Sequence, residues 1–281
     1  MSEVEPIVRF RQVLWEEMTR QPVKVAEILL RYVLNLPVEK EIVLNNGYQA
    51  RMVLPSPVAA WAYLKGDFDP EITDYIYQTV APGMVAFDVG AHFGIKTAFL
   101  KEAVGDKGRV ISFEPSPATF QILEVNSRRW NTEPQQIALS DSVGVVQMRD
   151  FGWKHSDINT LGNPRWHRSP RSRQVQVQTT TLDQFVSETG IVPNIVKIDA
   201  ENSERAILAG SVQTLKRHKV EVIFEAGNFG RKDGQKTEDC LSLLEELGYR
   251  TYELCKGGNL MKIRSRWGPT DGANLLASPM I

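Results

Sequence analysis

The sequence predicts an α/β fold, a doubly wound and mostly parallel sheet of seven strands that ends in an antiparallel hairpin, preceded by an N-terminal helical extension. Three observations carry this. From residue 85 onward, short apolar runs alternate with helix-length amphipathic segments, the pattern of strands covered on both faces by crossover helices. Residues 1–80 lack that alternation and read as helices and one hairpin, a separate unit from the 81–281 domain. The last two strand candidates are joined only by "CKGG", which reads as a hairpin closing the sheet.

Composition narrows the function classes. The 281 residues are 42% hydrophobic and 24% charged, values of an ordinary soluble globular protein with a sizeable core. A net charge of −1 supplies no general attraction to nucleic acid or to an anionic membrane. The two cysteines, Cys240 and Cys255, propose neither a disulfide framework nor a zinc site. The opening "MSEVEPIVRF" is acidic where a signal peptide is basic, and no apolar run is long enough to span a bilayer, so a cytoplasmic protein without stable membrane insertion is expected.

Residues 8–35 read as helix divided by Pro22, with Val13, Leu14, Met18, Ala26, Leu29, Leu30 and Val33 along an apolar side. Residues 41–54 read as a hairpin turning at Asn46-Gly47. "VAAWAYLKGDFDPEITDYIYQTV" gives two helices around a Gly/Asp turn. Strands follow at 85–89, 109–113, 135–139, 194–198, 220–224, 249–254 and 259–263, with helices at 94–104, 116–130, 203–217 and 237–247. Between 140 and 182 the alternation lapses into strands at 143–149 and 174–180 around a polar, irregular stretch. Such a loop in a compact domain is usually functional or mobile.

The first strand ends in the turn "DVGAHFG", which leads into a helix. Its spacing, Gly90-x-x-x-Gly94, differs from the G-x-G-x-x-G of a pyrophosphate-binding turn. Glu114 ends the second strand, where a carboxylate can accept from both hydroxyls of a ribose. Asp141 follows the third strand, where it can accept from an adenine amino group. Glycine turn and two acids in this order favour an adenosine-bearing ligand without a pyrophosphate, and S-adenosylmethionine fits best.

The motifs "FDVGAHFG", "VISFEPSPATFQILEVN", "IALSD", "TTLDQF" and "IVKIDAENSERAILAG" resemble, in order, those of the FkbM-type methyltransferases over about residues 85–265. The resemblance implies a class I, Rossmann-like, S-adenosylmethionine-dependent enzyme that O-methylates sugars, polyketides, lipids or other natural products. It places Asp88, Gly90, His92, Gly94, Glu114, Pro115, Asp141 and Asp199 at the cofactor. Two positions depart from the family pattern: His92 stands where Asn is usual, and Asn202 where Gly is usual.

On the acceptor side, "VKIDAENSE" sets Lys197, Asp199 and Glu201 on alternate positions at a strand end, with Glu225 ending the next strand. Asp199, Glu201 and Glu225 are candidate active-site carboxylates, and Lys197 reads as the partner of a carboxylate. With Asn228 these oxygens suit Mg2+, although the resemblance requires no metal and none is expected. His155, in the irregular stretch, is the candidate base. Arg165, Trp166 and Arg168, with Arg171 and Arg173 nearby, are candidates for binding a small-molecule acceptor that carries an acidic group. The N-terminal helices are expected to cover the acceptor pocket, to pack on the core or to form a homodimer contact. The rival readings are an NAD(P)-dependent Rossmann oxidoreductase and a cofactor-binding module without catalysis.

Overall fold

The computed structural model describes residues 12–161, 171–227, 236–263, 267 and 272–280. Helix α1 (Pro22–Leu34) follows a helical turn at 12–17, with Pro22 opening it where its missing N–H costs nothing. Strands β1 (Val38–Val43) and β2 (Gln49–Leu54) form the hairpin about Asn46-Gly47. Helices α2 (Pro57–Lys65) and α3 (Pro70–Thr79) complete the N-terminal part.

The main sheet begins with β3 (Val85–Val89), helix α4 (Ile95–Val104), β4 (Arg109–Phe113), helix α5 (Pro117–Trp130) and β5 (Glu133–Gln135). A second, three-stranded sheet contains β6 (Ala138–Leu139), β7 (Gly144–Asp150) and β8 (Arg173–Thr180), with a short 3₁₀ turn at Trp153–Ile158. Helix α6 (Leu182–Thr189) leads to β9 (Ile195–Ile198). Then come α7 (Glu204–Ala209), α8 (Val212–Arg217), β10 (Glu221–Gly227), α9 (Thr237–Glu246), β11 (Tyr249–Cys255), β12 (Asn259–Lys262) and β13 (Gly272–Pro279).

The main sheet runs β12-β11-β13-β10-β9-β3-β4-β5, parallel from β10 through β5. The α/β class and the doubly wound parallel core match the sequence reading, and three details correct it. The sheet has eight strands, because β13 inserts antiparallel between β10 and β11 and pushes the β11–β12 hairpin to the edge. Its middle is buried on both faces, so it lacks the alternation that announces a strand. The expected strand 135–139 is cut in two, Glu133–Gln135 joining the main sheet and Ala138–Leu139 the smaller one. Helix α1 buries Val25 and Ile28, while Leu29, Leu30 and Val33 face solvent.

Sidedness along β3 and β9 fixes the site. Phe87, Val89, Val196 and Ile198 point into the apolar layer shared with Leu182, Ile207, Leu215 and Leu244. The alternate positions Asp88 and Lys197 therefore turn to the other side, where α4 packs. The N-terminal hairpin and α2 pack on α4 and α5 through Met52, Leu54, Ala59 and Ala60 against Phe93, Phe99, Ile122 and Trp130.

Candidate functional site

A cavity of about 610 Å3 opens at the carboxyl ends of β3, β4, β9 and β10. Here the chain winds outward in both directions from β3, the place where open α/β sheets hold their ligands. Its volume is that of a small-molecule site.

The turn after β3 forms the floor. Gly90 has φ +73°, and a Cβ there would stand 1.8 Å from the carbonyl oxygen of Asp199, so only glycine lets β3 and the β9 end meet. The N–H groups of Gly90 and Ala91 both donate to the Phe113 carbonyl, at 2.9 and 3.0 Å, tying the turn to β4. His92 follows in the left-handed region at φ +53°. Its backbone N–H donates to Glu114 Oε2 (2.9 Å), and its Nε2 lies 2.9 Å from Ser156 Oγ. Burial, aided by the Lys197 charge, pulls the His92 ring down to about 3, so it is neutral at working pH.

Glu114 Oε1 accepts from the Ser116 N–H (2.9 Å) and from Thr119 Oγ1 (2.8 Å), which fills that oxygen. Oε2 accepts only the His92 N–H among these bonds, leaving one lone pair for a ligand hydroxyl. Burial raises the Glu114 carboxyl, while its donors act to lower it. Beside it Phe113, Pro115, Ile137, Leu139 and Met148 make an apolar slot.

Under the floor Lys197 binds two carboxylates, Asp88 at 3.5 Å and Asp199 at 3.3 Å. Burial opposes its charge, but Asp199 and Asp88 outweigh burial and hold the ammonium above its usual range. Asp88 is fully buried, and its Oδ2 accepts from Thr97 Oγ1 at 2.6 Å, itself 2.8 Å from Ser112 Oγ.

Of the residues expected at the site, Gly90, His92, Glu114, Pro115, His155, Asp199, Glu201 and Glu225 line the cavity. Three do not. Asp88 lies beneath the wall and holds Lys197 and Thr97. Gly94 begins α4, packed toward Leu123 and Trp130. Asp141 is solvent-exposed beside Ser140 and Ser142, because β6 leaves the main sheet and carries it away. Arg165, Trp166, Arg168 and Asn228 lie outside the described residues.

Sequence reasoning offers the N-terminal helices as one possible cover of the pocket but names none of their lining residues. Tyr32, Val58, Trp61, Phe68, Asp69 and Glu71 line the same cavity, as do Glu253 and Asn274. Lys96, also in the wall, is spent on Asp67 Oδ1 (2.8 Å), the Asp69 carbonyl (2.9 Å) and Thr73 Oγ1 (2.6 Å). His155 meets Tyr32 edge-on at 6.4 Å, and burial, then the Lys154 charge, lowers its basicity. Asp199, Glu201 and Glu225 bring carboxylate oxygens within 4.8 Å of one another. A divalent cation could share such oxygens, but no further feature of the described residues points to an ion, and none is assigned.

Backbone strain gathers here. Among the described residues, six other than glycine have positive φ. Asn35 and Asn131 are helix C-caps. Asp69, His92 and Glu201 line the cavity and Asn202 adjoins it, at +53°, +53°, +43° and +71°. The two departures from the family pattern sit on such positions. Asn and His are among the side chains that tolerate this region best, so each substitution preserves the turn.

The family model described as methyltransferase FkbM domain matches residues 88–251. The chain belongs to the FkbM methyltransferase family. It is 30% identical over 176 residues to the hexuronic acid methyltransferase AglP of Haloferax volcanii, covering 60% of this chain and 67% of that one. It is 29% identical over 157 residues to the 31-O-demethyl-FK506 methyltransferase FkbM of Streptomyces tacrolimicus, covering 46% and 60%. Among solved structures, methyltransferase FkbM from Methylobacillus flagellatus KT matches with a TM-score of 0.44 and 17% identity, over 79% of this chain and 53% of that one. Family membership removes the oxidoreductase reading. No helix among the described residues of this FkbM-family chain is long and apolar enough to cross a membrane.

Proposed function

We propose that this FkbM-family chain transfers a methyl group from S-adenosylmethionine to a hydroxyl of a small or medium-sized acceptor. The observation that carries the reading is the presence, in one cavity, of the Gly90–His92 turn and Glu114 beside the carboxylates Asp69, Asp199 and Glu225. The apolar slot of Phe113, Ile137 and Leu139 suits an adenine ring, and the open lone pair on Glu114 Oε2 suits a ribose hydroxyl. Asp199, fixed by Lys197, suits the ammonium of the methionine part. When bound, S-adenosylmethionine supplies a methyl group activated on a sulfonium sulfur. This chain's residues then position an acceptor oxygen and remove its proton, the two demands of methyl transfer to a hydroxyl.

The names of the two relatives, one a hexuronic acid methyltransferase and the other a 31-O-demethyl-FK506 methyltransferase, support a hydroxylated acceptor. The test is incubation with trideuteromethyl S-adenosylmethionine and a panel holding glucuronic acid, a neutral glycoside, a polyol macrolactone and a primary amine. The reading expects a trideuteromethyl ether by mass spectrometry; methylation of the amine alone would overturn it. For an acidic acceptor, alanine at both Arg165 and Arg168 is expected to raise KM several-fold while S-adenosylhomocysteine affinity stays unchanged.

A further inference from the structure

Asp69 occupies the N-cap position of α3, where an aspartate ordinarily accepts from the first free N–H groups of its helix. Its side chain makes no such bond, and the residue lines the cavity. The backbone beneath it is held at φ +53° and ψ +67°, immediately before Pro70. Few residues other than glycine adopt this left-handed conformation, and aspartate is one that tolerates it. Lys96 imposes it: the buried ammonium grips the Asp69 carbonyl while bound to Asp67 and to Thr73 on α3. The Asp69 side chain is thus not spent on capping its helix, and the residue belongs to the cavity wall.

Three other titratable groups of the wall have partners of their own. His92 directs Nε2 to Ser156. Asp199 shares the Lys197 ammonium with Asp88. Glu71 Oε1 accepts from Asn274 Nδ2 at 3.0 Å.

We propose that Asp69 is a catalytic residue, the one that accepts the proton of the acceptor hydroxyl during methyl transfer; this rests on the hydroxyl-acceptor reading above. As the acceptor oxygen forms its bond to the methyl carbon, the methyl–sulfur bond breaks and its electron pair returns to sulfur. The hydroxyl proton passes to an Asp69 carboxylate oxygen, and from there to water after the product leaves. The charged groups around Asp69 suit this work. Burial, then Glu71 on its own helix, raises its carboxyl, with Asp199 from the β9 end and Glu225 from β10 adding to the rise. Lys96 from α4 opposes it, and the balance stands at about 7. A base is most effective when it titrates near the working pH.

The test compares wild type with Asp69→Asn, a change that keeps a residue tolerant of positive φ. Three readouts are taken: the pH profile of methyl transfer to the best hydroxylated member of the panel, S-adenosylhomocysteine affinity, and the titration of ¹³C-carboxyl-labelled aspartates with S-adenosylhomocysteine bound. The proposal expects Asp69→Asn to lose about 100-fold or more in kcat/KM, together with the inflection near pH 7. It expects affinity within twofold of wild type, and one carboxyl resonance titrating near 7 that the variant lacks. A variant within threefold of wild-type activity, a slow variant that keeps the inflection, or an Asp69 resonance titrating below 5 would each overturn it. Wild type that methylates only amines defeats the hydroxyl reading, and this role with it, before Asp69 is changed.

Discussion

The wall made by Gly90–His92, Glu114 and Pro115 comes from the ends of two adjacent strands, and its polar atoms are tied to one another: turn to Phe113, His92 to Glu114, Glu114 to Ser116 and Thr119. The wall that carries Trp61, Asp69, Glu71, Glu225 and Glu253 is gathered from α2, α3, β10 and β11, and its carboxylates crowd like charges together. The first wall is a rigid mould whose hydrogen bonds exist before any ligand arrives. The second gathers like charges around Asp69, whose backbone lies in the left-handed region. Stability and reactivity are thus divided between two sides of one cavity.

Lys197 joins the two sides through Asp88 and Asp199, so removing it breaks the contrast most severely. Lys197→Met leaves the fully buried Asp88 charge without its cation, and a loss of about 3–5 kcal/mol in urea unfolding is expected. Gly90→Ala comes next. It combines a disfavoured φ with a contact of 1.8 Å to the Asp199 carbonyl, and at least about 2 kcal/mol is expected in the same measurement. Glu114→Gln acts on the first wall alone. On the proposed function, loss of charge-assisted bonds worth about 1.5–3 kcal/mol is expected to weaken S-adenosylhomocysteine binding roughly 10- to 100-fold, read by equilibrium dialysis.

The smallest effect sharpens the comparison through pH. His92 is depressed from 6.5 to about 3 in the folded chain, so the unfolded chain binds more protons between those values, and stability contributed by this ring falls as pH drops through the window. Asp69 is raised from 3.8 to about 7, so the folded chain binds more protons there, and its contribution falls as pH rises. The two slopes oppose each other between about pH 4 and 6.5. His92→Asn is expected to tilt the stability profile downward with rising pH and Asp69→Asn to tilt it upward, each by at most about 1.4 kcal/mol per pH unit. Urea midpoints across that range measure both, and parallel profiles in all three proteins would contradict the assignment.

The same division explains what could be read from the sequence. Gly90, Glu114 and the β9 end are legible because each motif is contiguous and sits at a strand terminus whose apolar run is plain. Of the second wall Glu225 is legible, at the end of its predicted strand; the rest depends on long-range packing that no local pattern encodes. Asp69 in "GDFDPEI" looks like an ordinary helix cap, and only the missing cap bond reveals another use. Asp141 lies away from the cavity because "QQIAL" reads as one strand, whereas Gln135 ends a strand of the main sheet and Ala138–Leu139 pair in the smaller one. Helix α1 buries Val25 and Ile28 and leaves Leu29, Leu30 and Val33 exposed, a narrow contact that its many apolar side chains do not disclose.

The central claim, that the Gly90–Glu114 wall holds an adenosyl cofactor without a pyrophosphate, is tested most directly by calorimetry of the purified chain with S-adenosylhomocysteine and with NAD. The account predicts one S-adenosylhomocysteine per chain and no heat from NAD. Binding of NAD, or no binding of S-adenosylhomocysteine, would contradict it.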